Sequence, residues 1–88
     1  MLESDVEAKY CRKVKRAKGE AYKFTSPGRR GVPDRLTLFP VAPEHVEIVA
    51  KYVNFVECKA PGKKPRKEQL REHRRLRKLG FKVEVVDQ

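Results

Sequence analysis

The sequence predicts a small α/β fold in which short strands alternate with helices. Residues 2–18 and 66–79 carry apolar side chains at helical spacing, whereas most segments between and after them are short and alternate apolar with polar residues. With 88 residues, the chain is expected to form one domain, residues 1–88, whose small core a partner subunit would help to cover. No repeat and no linker interrupts it.

The first element is a predicted helix from Leu2 to about Lys18, which Gly19 ends. Glu3 and Glu7 are four residues apart, so both carboxylates lie on one face, close enough to the apolar stripe for one to point inward. The simpler interpretation of the helix alone is two solvated acids near the positive end of its dipole. The apolar stripe consists of Leu2, Val6, Tyr10 and Val14, with Cys11 and Ala17 beside it.

A short strand, residues 21–25, leads into a segment dense in turn-forming residues, 26–34. Two glycines in this segment would let the backbone approach a ligand, and Arg29 and Arg30 between them could clamp a phosphate. A proline directly before Asp34 gives this residue a stiff support as it enters the next strand. Asp34 therefore suits a metal ligand, and equally a residue that caps a turn.

Residues 35–39 alternate as a strand that two prolines end. The segment 43–52 fits either a short helix opened by Pro43 or the first arm of a hairpin, and the helix is the preferred interpretation. A basic turn, residues 60–65, precedes a predicted helix over 66–79 with a thin leucine seam and Gly80 as its stop. Residues 81–86 alternate as a closing strand.

Between these elements lies the strand on which the prediction of function depends, residues 54–59. Because strand side chains alternate, Glu57 and Lys59 share one face, with Phe55, while Cys58 points to the other and is expected to be a small buried residue. Two charges side by side at the end of an apolar strand carry a desolvation cost, which favours an ionic ligand such as a metal and a phosphate. The alternative is an ordinary cross-strand ion pair at a sheet edge.

The composition favours a polyanionic partner. Lys and Arg number 22 against 12 acids, a formal charge of +10 that suits nucleic acid better than a small neutral ligand. Cys11 and Cys58 are too few and too distant for a disulfide scaffold, so reduced thiols are expected, and His45 and His73 are expected to be structural or surface residues. Without a secretory pattern or a membrane-spanning run, the chain is expected to be soluble and cytoplasmic.

Three segments resemble, in their order and spacing, the motif set of the PD-(D/E)xK nuclease superfamily. They are the turn Gly31–Asp34, the strand end Glu57–Lys59, and Gln69 at the start of the following helix. In detail the chain resembles the VRR-NUC (virus-type replication-repair nuclease) family, with a glutamate in the first helix, Gly-x-Pro-Asp, Phe-Val-Glu-x-Lys-Ala-Pro-Gly and a later glutamine. The resemblance covers nearly the whole chain.

The resemblance implies a restriction-endonuclease-like core: a small mixed sheet flanked by helices, in the order α-β-β-(α or β)-β-α-β. It also implies an endodeoxyribonuclease that depends on Mg²⁺, for which Mn²⁺ can substitute. Asp34 and Glu57 would be metal ligands, together with the backbone carbonyl of Cys58 and a first-helix acid, Glu3 or else Glu7. Oxygen donors of this kind are those that hard cations prefer.

Two further catalytic residues follow from the resemblance. Lys59 would orient or help to deprotonate the attacking water and offset phosphate charge. Gln69 would hold Lys59 or the scissile phosphate, although a glutamine on a helix surface needs no such role. With Asp34 and Glu57, these residues complete the expected catalytic set.

The expected partner is DNA, in branched form, and not a small molecule or a membrane. Basic residues of the two turns and the second long helix would contact it: Arg29, Arg30, Lys63, Lys64, Arg66, Lys67 and Arg74. Compact members of the family resemble phage and prophage proteins and homodimeric Holliday junction resolvases, which would act in the host cytoplasm. Alternatives are a less selective flap or nicking nuclease, and a basic nucleic-acid-binding module without catalysis.

Overall fold

The computed structural model describes all residues, 1–88, and confirms the predicted order of helices and strands. The chain divides into two compact units, Met1–Pro40 and Val41–Gln88, each with one long helix and one two-stranded sheet. The expected single domain over 1–88 stays a prediction. None of the helices combines the length and apolar character that crossing a bilayer requires.

The first unit consists of helix α1 (Glu3–Arg16) and the antiparallel strands β1 (Glu20–Lys23) and β2 (Arg35–Leu38). Its core is small because Val14 and Leu38 are its only buried hydrophobic side chains, at 1% and 6% exposure. The predicted apolar stripe of α1 is therefore buried only at its C-terminal end: Leu2, Val6 and Tyr10 are exposed. Tyr10 instead donates its hydroxyl hydrogen to the side chain of Thr37, 3.1 Å away.

The end of α1 differs from the expectation that Gly19 supplies the stop. Lys18 takes the left-handed conformation, with φ 66°, and the N–H of Gly19 donates to the carbonyl of Val14 at 3.0 Å. Gly19 is needed for close packing, since a Cβ on it would lie 2.7 Å from the carbonyl oxygen of Leu38. The glycine therefore marks the place where the helix end meets strand β2.

The second unit begins with a 3₁₀ turn, Pro43–His45, and a short helix, α2 (Val46–Ala50), so the hairpin alternative for residues 43–52 is wrong. Strand β3 (Asn54–Cys58) is joined through helix α3 (Lys67–Leu79) to strand β4 (Lys82–Val86), which pairs with β3 in parallel. This crossover connection is the one that parallel strands require. The predicted α/β class is confirmed, with the strands distributed over two sheets.

The core of the second unit lies between α3 and one face of its sheet. Leu76, Val83 and His73 are buried there, and the rings of Phe55 and Phe81 meet edge to face at 5.9 Å. The opposite sheet face is open: Val56 is 51% exposed. Cys58 shares that face and is exposed, so its predicted burial is wrong because no element of this unit covers a two-stranded sheet on both sides.

As predicted, Gly80 ends α3. It takes a left-handed conformation with φ 104°, and a Cβ on it would lie 2.9 Å from that of Val41. The N–H of Phe81 then donates to the carbonyl of Leu76 at 3.1 Å, and the chain enters β4 directly. This short return places β4 beside β3 and fixes α3 across the sheet face that carries Glu57.

Candidate active site

Glu57 lies near the C-terminal end of β3, on the sheet face that α3 covers. Its side chain is 25% exposed, and its carboxylate accepts hydrogen bonds from two side chains of α3. Gln69 donates from Nε2 to Oε2 over 3.1 Å, and the ring of His73 reaches Oε1 from Nε2 over 3.2 Å. Each carboxylate oxygen therefore has one partner, and the helix holds the acid in a defined orientation.

Gln69 is positioned by the start of α3. Its amide oxygen accepts the backbone N–H of Arg66 at 2.8 Å, one of the donors that a helix N-terminus leaves without a partner. Because the oxygen is used there, the amide nitrogen must face Glu57. In the structure Gln69 contacts Glu57. Its expected role toward Lys59 or the scissile phosphate stays a prediction.

His73 was not predicted to belong to the site. It is buried, at 5% exposure, one helical turn after Gln69 and on the same face of α3. Its Nδ1 is buried without a hydrogen-bond partner. The spacing of four residues from Gln69 was the available signal, because residues at this spacing share a helix face.

Lys59 follows Glu57 at the end of β3, and its backbone N–H donates to the carbonyl of Val86 at 2.8 Å, which continues the ladder with β4. The side chain is half-buried, and its ammonium forms no ion pair. The alternative interpretation, a cross-strand ion pair made by Lys59, is therefore not what the structure gives. A positive charge stands at the end of the strand, available to an anion.

In the first unit, Asp34 lies directly before β2 and is exposed. Its backbone is fixed, because its carbonyl accepts the N–H of Phe24 at 2.8 Å and extends the pairing of β1 with β2. Its carboxylate has no hydrogen-bond partner. Gly31, two residues before Pro33, takes a left-handed conformation with φ 76°.

The two candidate acids of α1 differ in their surroundings. The carboxylate of Glu7 pairs with the guanidinium of Arg35 at 2.7 Å, and Arg35 also donates to the carbonyl of Ala21 at 3.2 Å. Glu3 lies one turn earlier, is exposed and forms no ion pair. Glu7 is thus engaged in holding α1 to β2, whereas Glu3 is available to a ligand.

The seven basic residues expected to contact nucleic acid are all exposed. Arg66 pairs with Glu68 over 3.3 Å, between two exposed side chains. The remaining six form no ion pair, so their charges are open to a polyanion: Arg29, Arg30, Lys63, Lys64, Lys67 and Arg74.

Neither unit gathers three or more His, Cys, Asp or Glu side chains into a group that could hold a metal ion by itself. The chemistry of Glu57 nevertheless fits a hard cation. A carboxylate has about four lone-pair positions, and the two hydrogen bonds from α3 use one on each oxygen. Oxygen lone pairs remain for a cation such as Mg²⁺.

The fold is that of a small α/β protein. The chain belongs to the VRR-NUC nuclease family, as predicted. It is 35% identical to a solved structure entitled "VRR_NUC domain", covering 97% of this chain and 83% of that chain, with a TM-score of 0.42. It is also 51% identical over 85 residues to "Putative nuclease p44" of Acyrthosiphon pisum secondary endosymbiont phage 1, covering 97% of this chain and 82% of that protein. No family model matches the chain.

Proposed function

We propose that this protein is a metal-dependent endonuclease that hydrolyses phosphodiester bonds in DNA. The observation that carries the proposal is the 51% identity, over nearly the whole chain, to a phage protein named as a nuclease. The geometry of the second unit agrees with it, because Glu57 is oriented by two hydrogen bonds while Lys59, on the same face, keeps its charge free. An oriented carboxylate together with an unpaired lysine ammonium suits the hydrolysis of phosphodiester bonds.

The roles of the residues follow from their chemistry. Asp34 and Glu57 supply carboxylate oxygens to a divalent cation, Mg²⁺ or Mn²⁺, with the carbonyl of Cys58 and the carboxylate of Glu3 as further donors. When bound, such a cation lowers the pKa of the attacking water and neutralises charge on the phosphate. Lys59 orients that water and offsets the developing negative charge.

Gln69 acts on Glu57 in this proposal. The amide keeps the carboxylate in one orientation, and the backbone N–H of Arg66 in turn keeps the amide in one orientation. The exposed arginines and lysines of the two turns and of α3 bind the sugar-phosphate backbone. Binding of this kind is independent of sequence and weakens steeply with salt.

The substrate that we propose is a four-way DNA junction, cut by a homodimer with one active site in each subunit. Two matched cuts on a two-fold symmetric junction are what a two-fold symmetric dimer can deliver. The high positive charge supports a nucleic-acid substrate. A phage protein of this kind would act in the cytoplasm of its bacterial host.

The test compares cleavage of labelled junction, flap and linear duplex DNA by the wild type and by Asp34→Ala, with and without Mg²⁺ or Mn²⁺. We expect paired cuts in the junction only with metal, a loss on the order of a hundredfold or more in Asp34→Ala, and unchanged binding of the variant to junction DNA. The mass of the protein in solution, measured by light scattering, is expected to be that of a dimer.

Two outcomes would favour the alternatives. Equal cleavage of flaps and linear duplex, by a protein that is monomeric in solution, would indicate a less selective nuclease of the same family. Strong salt-dependent binding without any metal-dependent cleavage would indicate a nucleic-acid-binding module and would contradict the proposal.

A further inference from the structure

His73 combines burial with an incomplete set of hydrogen bonds. The residue is 5% exposed. One ring nitrogen, Nε2, lies 3.2 Å from Oε1 of Glu57, and the other, Nδ1, is buried without a partner. An ionised carboxylate only accepts hydrogen bonds, so Nε2 must carry the hydrogen that it donates to Glu57. The interaction with Glu57 is thus the one hydrogen bond that the imidazole makes.

Packing alone does not account for a histidine at this position. His73 lies on the buried face of α3 beside Leu76, where an apolar side chain would fill the space without leaving a polar atom unsatisfied. What the imidazole supplies, and what an apolar side chain would not supply, is the donor to Glu57. A histidine at this position therefore leaves its Nδ1 buried without a partner, and in return it holds Oε1 of Glu57 by a hydrogen bond.

Two hydrogen bonds fix the orientation of the Glu57 carboxylate, whereas one hydrogen bond would leave it free to rotate. Rotation about the last bond of a glutamate side chain is broad, so a single hydrogen bond from Gln69 to Oε2 lets the other oxygen move. With His73 bonded to Oε1, both oxygens have fixed positions. The lone pairs that remain then point in constant directions from the end of β3.

We propose that His73 is a positioning residue, which holds the Glu57 carboxylate so that its free lone pairs are presented to a divalent cation. This inference rests on the function proposed above and adds a residue to the site. His73 acts through Glu57 and touches neither metal nor DNA. Residues that orient a metal ligand in this way commonly change metal affinity or activity by about 10- to 100-fold when replaced.

The test uses two substitutions of similar size, His73→Met and His73→Gln. Methionine fills the site flexibly without a donor, whereas glutamine can offer its amide N–H to Glu57. For His73→Met we expect Mn²⁺ affinity, measured by calorimetry without DNA, and kcat to fall about 10- to 100-fold, with KM for junction DNA unchanged. His73→Gln should recover most of both losses, and His45→Met, at an exposed histidine, should match the wild type.

Three results would overturn the inference. The first is Mn²⁺ affinity and kcat of His73→Met equal to those of the wild type, and the second is an equal loss in His73→Gln when both variants fold. The third needs no variant: ¹⁵N NMR of the wild type would show a hydrogen on Nδ1 and none on Nε2. A wild type that cleaves no DNA defeats the proposed function itself, whereas cleavage by the wild type with no effect of His73→Met defeats this inference alone.

Discussion

The two units of the chain are built from the same parts but hold their acids in different ways. In the second unit, α3 lies over Glu57 and binds both of its carboxylate oxygens. In the first unit, Asp34 is held only through its backbone, and its carboxylate is exposed without a partner. The helix of that unit uses its own acid, Glu7, to bind Arg35, the residue after Asp34.

The difference indicates that the two proposed metal ligands have separate tasks. A carboxylate with two fixed hydrogen bonds loses little conformational freedom when it binds a cation, so the Glu57 carboxylate is preorganised for binding. The side chain of Asp34 would lose conformational freedom on binding, but its exposed carboxylate can adjust its position to the ligand. We expect the two acids to be equally necessary for cleavage but unequal in their effect on stability.

Close packing at one glycine in each unit gives the largest expected effect on stability. Gly19→Ala would place a Cβ 2.7 Å from the carbonyl oxygen of Leu38, and Gly80→Ala would place one 2.9 Å from that of Val41 at a left-handed φ. Each should lower the free energy of unfolding by about 2–4 kcal/mol, from overpacking in both and backbone strain in Gly80→Ala. Urea unfolding measures this.

Gly28→Ala is the matched control, because a Cβ there meets no atom within 4 Å and its φ is not in the left-handed region. Its unfolding free energy should stay within about 0.5 kcal/mol of the wild type or rise slightly. If Gly19→Ala were as stable as Gly28→Ala, the contact of the α1 end with β2 would not be as tight as described.

The second prediction tests the comparison of the two acids directly. Glu57→Ala removes the acceptor of Gln69 and of the buried His73, so it should cost about 1–3 kcal/mol in unfolding free energy. Asp34→Ala leaves no partner unsatisfied and should change it by less than about 0.5 kcal/mol. Both substitutions remove one negative charge, so the general electrostatic effect cancels in the difference.

Equal stability of the two variants would contradict the comparison, because it would mean that the hydrogen bonds from α3 contribute nothing measurable. Thermal unfolding without metal gives the stability, and junction cleavage with Mg²⁺ gives the activity. Loss of cleavage in both variants, with loss of stability in Glu57→Ala alone, is the expected pattern.

Local sequence signals predicted the long helix and the strands of both units, but they predicted how the long helix ends only in the second unit. Helix α3 was predictable because the spacing of its leucines indicates a helix and Gly80, directly after the last leucine, indicates its end. The left-handed end of α1 was not predictable. Glycine is the residue type that usually takes this conformation, but Lys18 takes it instead of the neighbouring Gly19. Gly19 is instead required by its close packing against Leu38 of β2, which is distant along the chain.

For the site, strand alternation placed Glu57 and Lys59 on one face, but it could not show what covers that face. The bonds from Gln69 and His73 join residues 12 and 16 positions away from Glu57. Cys58 was expected to be buried because free cysteine usually behaves as a small apolar residue. The parallel sheet of this unit has only two strands, and the face that carries Cys58 is uncovered. Predicting the exposure of Cys58 therefore requires knowing the size of the sheet and what covers it.

The smallest expected effect concerns Glu7 and Arg35, and it would sharpen the description of the first unit. Their side chains are 30% and 27% exposed, so a double-mutant cycle with Glu7→Gln and Arg35→Met should give a coupling of about 1 kcal/mol that weakens in high salt. Arg35→Met should cost more than Glu7→Gln, because Arg35 also donates to the carbonyl of Ala21.

A further variant, Glu3→Gln, compared with Glu7→Gln, separates the two acids of α1. If Glu7 serves the ion pair and Glu3 serves the metal, Glu7→Gln should lose stability and keep cleavage, while Glu3→Gln should keep stability and lose cleavage. The reverse pattern would assign the metal to Glu7 and would mean that Arg35 releases it when DNA and cation bind. Because the pair is only partly buried, its strength of about 1 kcal/mol is small enough for a cation to overcome.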